Sequence, residues 1–103
     1  MRREEILSYL RTLKASLPGS PLLEIGLFGS QARQTADITS DIDLFVHFDP
    51  KYLQSHDAWA YFDILNEIKE RTKRHFKHPV DIVDKESANS FLKQVIAKEG
   101  IGV

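Results

Sequence analysis

The sequence has no cysteine, so it has neither a disulfide framework nor a thiolate metal site, and a reducing compartment suits it. No apolar run approaches the roughly 20 residues that a membrane helix needs. The first segment, MRREEILSYLRTLK, is charged and amphipathic, unlike the continuous apolar stretch of a signal peptide. The expectation is a cytoplasmic protein without membrane association. Charge of one sign is also missing: 14 Lys and Arg against 15 Asp and Glu give a formal net charge of −1. The chain as a whole is therefore no polyanion binder, and direct nucleic-acid binding is not expected; any affinity for phosphate must be local or carried by a metal. Neither Gly-Lys-Ser/Thr nor Gly-x-Gly-x-x-Gly occurs, which removes P-loop and dinucleotide-binding readings. The histidines at 47, 56, 75 and 78 lack metal-ligand spacing, which argues against zinc. No internal repeat, low-complexity segment or linker interrupts the chain.

What is present is ordinary globular material. With 103 residues, 42% of them hydrophobic and 28% charged, the chain reads as one domain, 1–103, too short for a catalytic domain plus a separate substrate domain. Ile6, Leu7, Leu10, Leu13 and Leu17 keep helical spacing, predicting a helix over about 3–16 that PGSP at 18–21 stops. Leu22 to Phe28 reads as a buried strand ended by Gly29-Ser30, followed by one or two helical turns and the polar stretch ADITS. From about Asp57 to Phe76 the pattern predicts a long helix with Ala58, Tyr61, Phe62, Leu65 and Ile68 inward; Trp59 also reads mostly as core by spacing, although a Trp on the outer side would mark an interface. Pro79 opens a strand at Val80–Val83, and Ser87 caps a last helix with Ala88, Phe91, Leu92, Val95 and Ile96 as its apolar stripe. The order α-β-α-β-α-β-α implies an α/β (α+β) fold, a small mixed sheet with helices mainly on one face and the other face open. The basic run KERTKRHFKH falls at a helix C-terminus, where positive charge suits the dipole, and reads as a solvated face.

The stretch from Asp41 to Phe48 alternates. Asp41, Asp43, Phe45 and His47 share one face of a strand, while Ile42, Leu44, Val46 and Phe48 share the other and would pack on helices. Asp49-Pro50 ends it. Two carboxylates at i and i+2 make a hard-oxygen site suited to Mg²⁺, which takes one or two carboxylates plus substrate phosphates. They are costly on a half-buried strand unless a cation meets them. Asp81 in HPVDIVDKE is a third candidate. Asp84 competes with it, but its odd offset turns it to the other face, where a capping or surface role is expected.

Gly29-Ser30 stands before Asp41 with ten residues between them. Gly29, without a Cβ, allows close approach of a triphosphate to the backbone, and Ser30 would donate its hydroxyl and N–H to phosphate oxygens. If a helix begins there, its free N–H groups favour an anion. Arg33, one turn in, offers a forked donor to the same phosphates; His47 shares the carboxylate face and could brush a nucleotide, although a partly exposed strand histidine is the commoner outcome. Two metal ions held by Asp41 and Asp43, with Asp81 completing the one nearest the acceptor hydroxyl, would activate the attacking oxygen and stabilise leaving pyrophosphate. The expected chemistry is metal-assisted nucleotidyl transfer.

The pattern GLFGSQAR…SDIDLFV…VDIVD resembles the minimal nucleotidyltransferase (MNT) family of the DNA polymerase beta-like superfamily. Gly29-Ser30, Asp41 and Asp43 match the superfamily signature, Ala32-Arg33 its usual extension and Asp81 the third acid. The resemblance implies the polymerase beta-like (palm) fold, two Mg²⁺ ions on Asp41, Asp43 and Asp81, and ATP as substrate. It also implies a HEPN-domain ribonuclease toxin as partner in a hetero-oligomer, with AMP transferred to a tyrosine of that toxin, so that the chain acts as antitoxin. Two other expectations stand beside this one. The first is a binding module that neutralises a HEPN partner by occlusion. The second is a small-molecule, aminoglycoside-type nucleotidyltransferase, which would act on a free hydroxyl compound without a protein acceptor.

Overall fold

A computed structural model of the chain describes residues 2–17, 22–37, 40–55 and 58–103. The expected PGSP turn, the middle of ADITS, His56 and the helix start at Asp57 lie outside the described residues. Helix α1 spans Arg3–Ala15 and buries Ile6, Leu7, Leu10 and Leu13 along one stripe. Glu4 and Glu5 in its first turn and Lys14 in its last complement the helix dipole. Strand β1 (Leu22–Phe28) runs into a short α2 (Gly29–Arg33), and β2 (Ile42–Phe48) follows. Then come α3 (Pro50–Ser55), α4 (Ala58–Phe76), β3 (Val80–Asp84), α5 (Ser90–Glu99) and β4 (Ile101–Gly102).

The sheet order is β3-β2-β1-β4. β1 pairs antiparallel with β2 and with β4, while β2 and β3 are parallel. The register sets Phe28 opposite Asp43, and Asp43 beside Asp81. The alternation of β2 holds: Ile42, Leu44, Val46 and Phe48 are buried in the larger core with Ile6, Leu10, Leu13 of α1 and Ile68 of α4. The opposite face is not bare. Phe45 packs there with Phe28 and with Ile96 of α5, and Leu92 and Val95 join them. A Cβ at Gly26 would strike the Phe45 ring and stand 2.6 Å from the Ile101 carbonyl, so only glycine lets β4, β1 and Phe45 close together.

Several expectations are corrected. In α4 the inward stripe is Tyr61, Ile64, Leu65, Ile68, Thr72 and Phe76, whereas Phe62 and Trp59 are 57% and 78% exposed and Ala58 is also exposed. Phe62 stands about 100° around the helix from Tyr61, so both cannot face the core fully. Phe91 is likewise outward, at 70%. The cap of α5 is Asn89, whose Oδ1 accepts from the Leu92 N–H at 2.9 Å, not Ser87, which lies in the preceding turn. Pro50 does end β2, but it also opens α3, with Asp49 Oδ1 accepting from the Lys51 N–H. β4 was not expected; its two residues are too few to show a period.

Candidate active site

Gly29 is where β1 turns into α2, and it adopts φ +76°, in the left-handed region that favours glycine. A Cβ built there would collide with the Asp43 Oδ2 and lie 3.2 Å from the Asp43 carboxyl carbon. The glycine thus brings the backbone against an acid of the adjacent strand, a demand the sequence alone did not reveal. Ser30 follows, partly buried, its carbonyl accepting from the Thr35 N–H at 2.9 Å. α2 has only five residues, so its dipole contributes little to anion binding.

Asp41 is exposed just before β2, Asp43 is half-buried on it, and Asp81 is exposed on β3 in register with Asp43. Burial pushes the Asp43 carboxyl above its ordinary value, and the charges of Asp81 and Asp41 push it the same way, while the Arg33 charge opposes them. None of the ion pairs among the described residues involves these three acids. Nor, among the described residues, is any group of three acidic, His or Cys side chains already gathered into a metal cage. The donor chemistry nevertheless fits a hard divalent cation: all oxygen, one carboxylate strained by two like charges, and no cation already paired with it.

Arg33 turns to α5, where its Nη1 donates to Glu99 Oε2 at 2.7 Å. Glu99 carried no local signal in the sequence, since 66 positions separate the pair. His47 sits four residues along β2 from Asp43, about 13 Å at strand rise, and its Nε2 meets Glu86 Oε1 at 3.2 Å. The structure does not bring it to the acids. Asp84 does face away from Asp81, but it is 8% exposed rather than a surface residue. Its Oδ2 accepts from the Tyr61 hydroxyl at 2.5 Å and its Oδ1 from the Glu86 N–H at 2.9 Å. A cavity of about 440 Å³ lined by Arg2, Arg3, Glu4, Gln31, Gln34 and Ala36 includes none of Asp41, Asp43 and Asp81.

A mixed four-stranded sheet with a Gly-Ser turn against paired acids defines a nucleotidyltransferase of the polymerase beta type. Residues 12–103 match the family described as Polymerase beta, Nucleotidyltransferase, and the chain belongs to it. A comparison with curated protein sequences gives no match. Among solved structures, a toxin–antitoxin crystallised with AMP-PNP is similar at 27% identity and TM-score 0.66, over 94% of this chain and 70% of that one. Two others share the fold. A complex of tri-AMPylated Shewanella oneidensis HEPN toxin with MNT antitoxin is 24% identical, with TM-score 0.62 over 97% of this chain and 70% of that one. A candidate minimal nucleotidyltransferase is 21% identical, with TM-score 0.72 over 100% and 97%. No described helix is long and apolar enough to cross a membrane.

Proposed function

We propose that this chain is a Mg²⁺-dependent protein adenylyltransferase that moves AMP from ATP to a tyrosine hydroxyl of a HEPN toxin and thereby acts as its antitoxin. The observation that carries this reading is the register of Asp43 with Asp81 on adjacent strands, Asp41 two residues before Asp43, and Gly29 pressed against Asp43. Similarity to a toxin–antitoxin bound to AMP-PNP supports ATP as the donor, and the fold shared with the MNT partner of an AMPylated HEPN toxin supports the acceptor.

In this reading Asp41 and Asp43 hold two Mg²⁺ ions, with Asp81 serving the ion nearest the acceptor. When bound, the ions neutralise the triphosphate and favour ionisation of the attacking hydroxyl. Gly29 and Ser30 offer backbone and hydroxyl donors to phosphate, and Arg33 a guanidinium.

The test is the intact mass of a HEPN partner after incubation with this chain, ATP and Mg²⁺, beside an Asp41→Asn/Asp43→Asn control. Whole AMP increments, absent with the double variant, are expected. A stable complex without increments would favour neutralisation by occlusion, and transfer to a small hydroxyl compound alone would favour an antibiotic-type acceptor.

A further inference from the structure

Arg33 has two carboxylates to choose from and takes the remote one. Its contact with Glu99, at 2.7 Å, is the shortest ion pair among the described residues. Yet Arg33 stands one helical turn after Gly29, on the same side of α2, and Gly29 lies directly against the Asp43 carboxylate. α2, which carries Arg33, packs against β2, which carries Asp43, but the two side chains form no ion pair. Asp43, flanked by two like charges, would be the needier acceptor. Something holds the guanidinium off it.

The backbone explains what does. β4 pairs with β1 so that Ile101 is opposite Leu27. Two residues past Leu27 the chain reaches Gly29 and α2; two residues before Ile101 it leaves Glu99 and α5. The antiparallel pairing therefore fixes the end of α5 beside α2, and the Gly100 N–H, bonded to the Ile96 carbonyl at 2.8 Å, holds the junction tight. Both side chains of the pair are partly exposed (46% for Arg33, 28% for Glu99), and pairs so exposed add little to stability. Its value is positional.

We propose that Glu99 is a positioning residue that holds the Arg33 guanidinium away from Asp43, leaving the carboxylate open to a divalent cation and the remaining guanidinium donors open to phosphate. Only one of the five N–H donors of Arg33 is engaged with Glu99. Without Glu99 the guanidinium would swing to Asp43 and neutralise it from within. The inference rests on the proposed role of Asp43 as a metal ligand.

Titration with Mn²⁺ alone, read by its paramagnetic signal, tests it without requiring turnover. Glu99→Ala is expected to weaken Mn²⁺ binding by about three- to tenfold, because Arg33 then competes for Asp43. Glu99→Gln keeps an acceptor for Nη1 and should stay within about twofold of the parent protein. Arg33→Ala/Glu99→Ala should recover the parent affinity, since the competitor is gone. A mere tether between α2 and α5 predicts no such recovery: a double variant as weak as Glu99→Ala overturns the proposal, as does parent-like binding by Glu99→Ala. Melting curves identify any variant that fails to fold; if Glu99→Ala does, Arg33→Ala decides, being expected to bind Mn²⁺ at least as well as the parent, and weaker binding overturns the proposal. If the parent and Asp41→Asn/Asp43→Asn bind Mn²⁺ alike, the acids are not ligands and the inference falls with that reading, a pattern distinct from the others.

Discussion

Asp43 and Asp81 stand side by side on the parallel strands β2 and β3, and of the two it is Asp43, the more buried, whose carboxyl is pushed upward. A carboxylate held this way is a cost to the folded chain that a bound cation would remove.

Stability should therefore depend on pH in a definite sense at this residue. The folded value of Asp43 lies above its ordinary 3.8, so its contribution is fully present below 3.8 and is lost as pH rises through the folded value. Asp43→Asn is expected to melt roughly 1–3 °C above the parent at pH 7 without metal, with the gap closing as pH falls through the raised folded value and gone below 3.8. Thermal melts from pH 3 to 7 measure it. Added Mg²⁺ should raise the melting point of the parent more than that of the variant.

Gly29→Ala should damage both fold and site. The positive φ costs a residue with a Cβ about 1–2 kcal/mol, and the new methyl group meets the Asp43 carboxylate. Denaturant unfolding should show a loss of at least that size, with AMP transfer falling by more than about 100-fold. Gly29→Asn, which tolerates the backbone angle but not the collision, should recover some stability and no transfer.

Removing the Arg33 guanidinium should act on nucleotide affinity rather than on turnover. Arg33→Ala is expected to raise the KM for ATP about tenfold, and Arg33→Lys to recover only part of that, since an ammonium lacks the fork. Steady-state kinetics in ATP would separate the two parameters; an unchanged KM would remove Arg33 from the nucleotide site.

Tyr61→Phe is a control away from the site. The hydroxyl donates to the buried Asp84, and burial, then this hydrogen bond, holds the phenol well above its ordinary value. Its loss should cost about 1–2 kcal/mol in chemical denaturation and leave nucleotidyl transfer unchanged. A variant as stable as the parent would show that solvent replaces the bond.

Strands β1, β2 and β3 and the placement of Asp81 beside Asp43 are legible because they follow from short-range rules. Asp41 to Phe48 alternates strictly, and one register relation then carries Asp81 to Asp43. Helix phase in α4 was harder, because Tyr61 and Phe62 are equally apolar and only packing against Phe48 and the Asp84 carboxylate decides between them. Asp49-Pro50 reads equally as the end of one element and the start of the next. Asn89, next to the helix it caps, competes in the sequence with Ser87, which offers similar capping chemistry two residues earlier. Glu99 was out of reach of any local pattern, since its relation to Arg33 exists only once β4 has paired with β1.

Trp59 is the chain's single tryptophan, and it stands 78% exposed at the start of α4. Its indole is nearly as hydrated in the native protein as in an unfolded chain, so its fluorescence is a poor reporter of folding. The same exposure makes it a sensitive reporter of contact: a shift of its emission to shorter wavelength on mixing with another protein would signal water leaving that surface, with no label added and no residue changed.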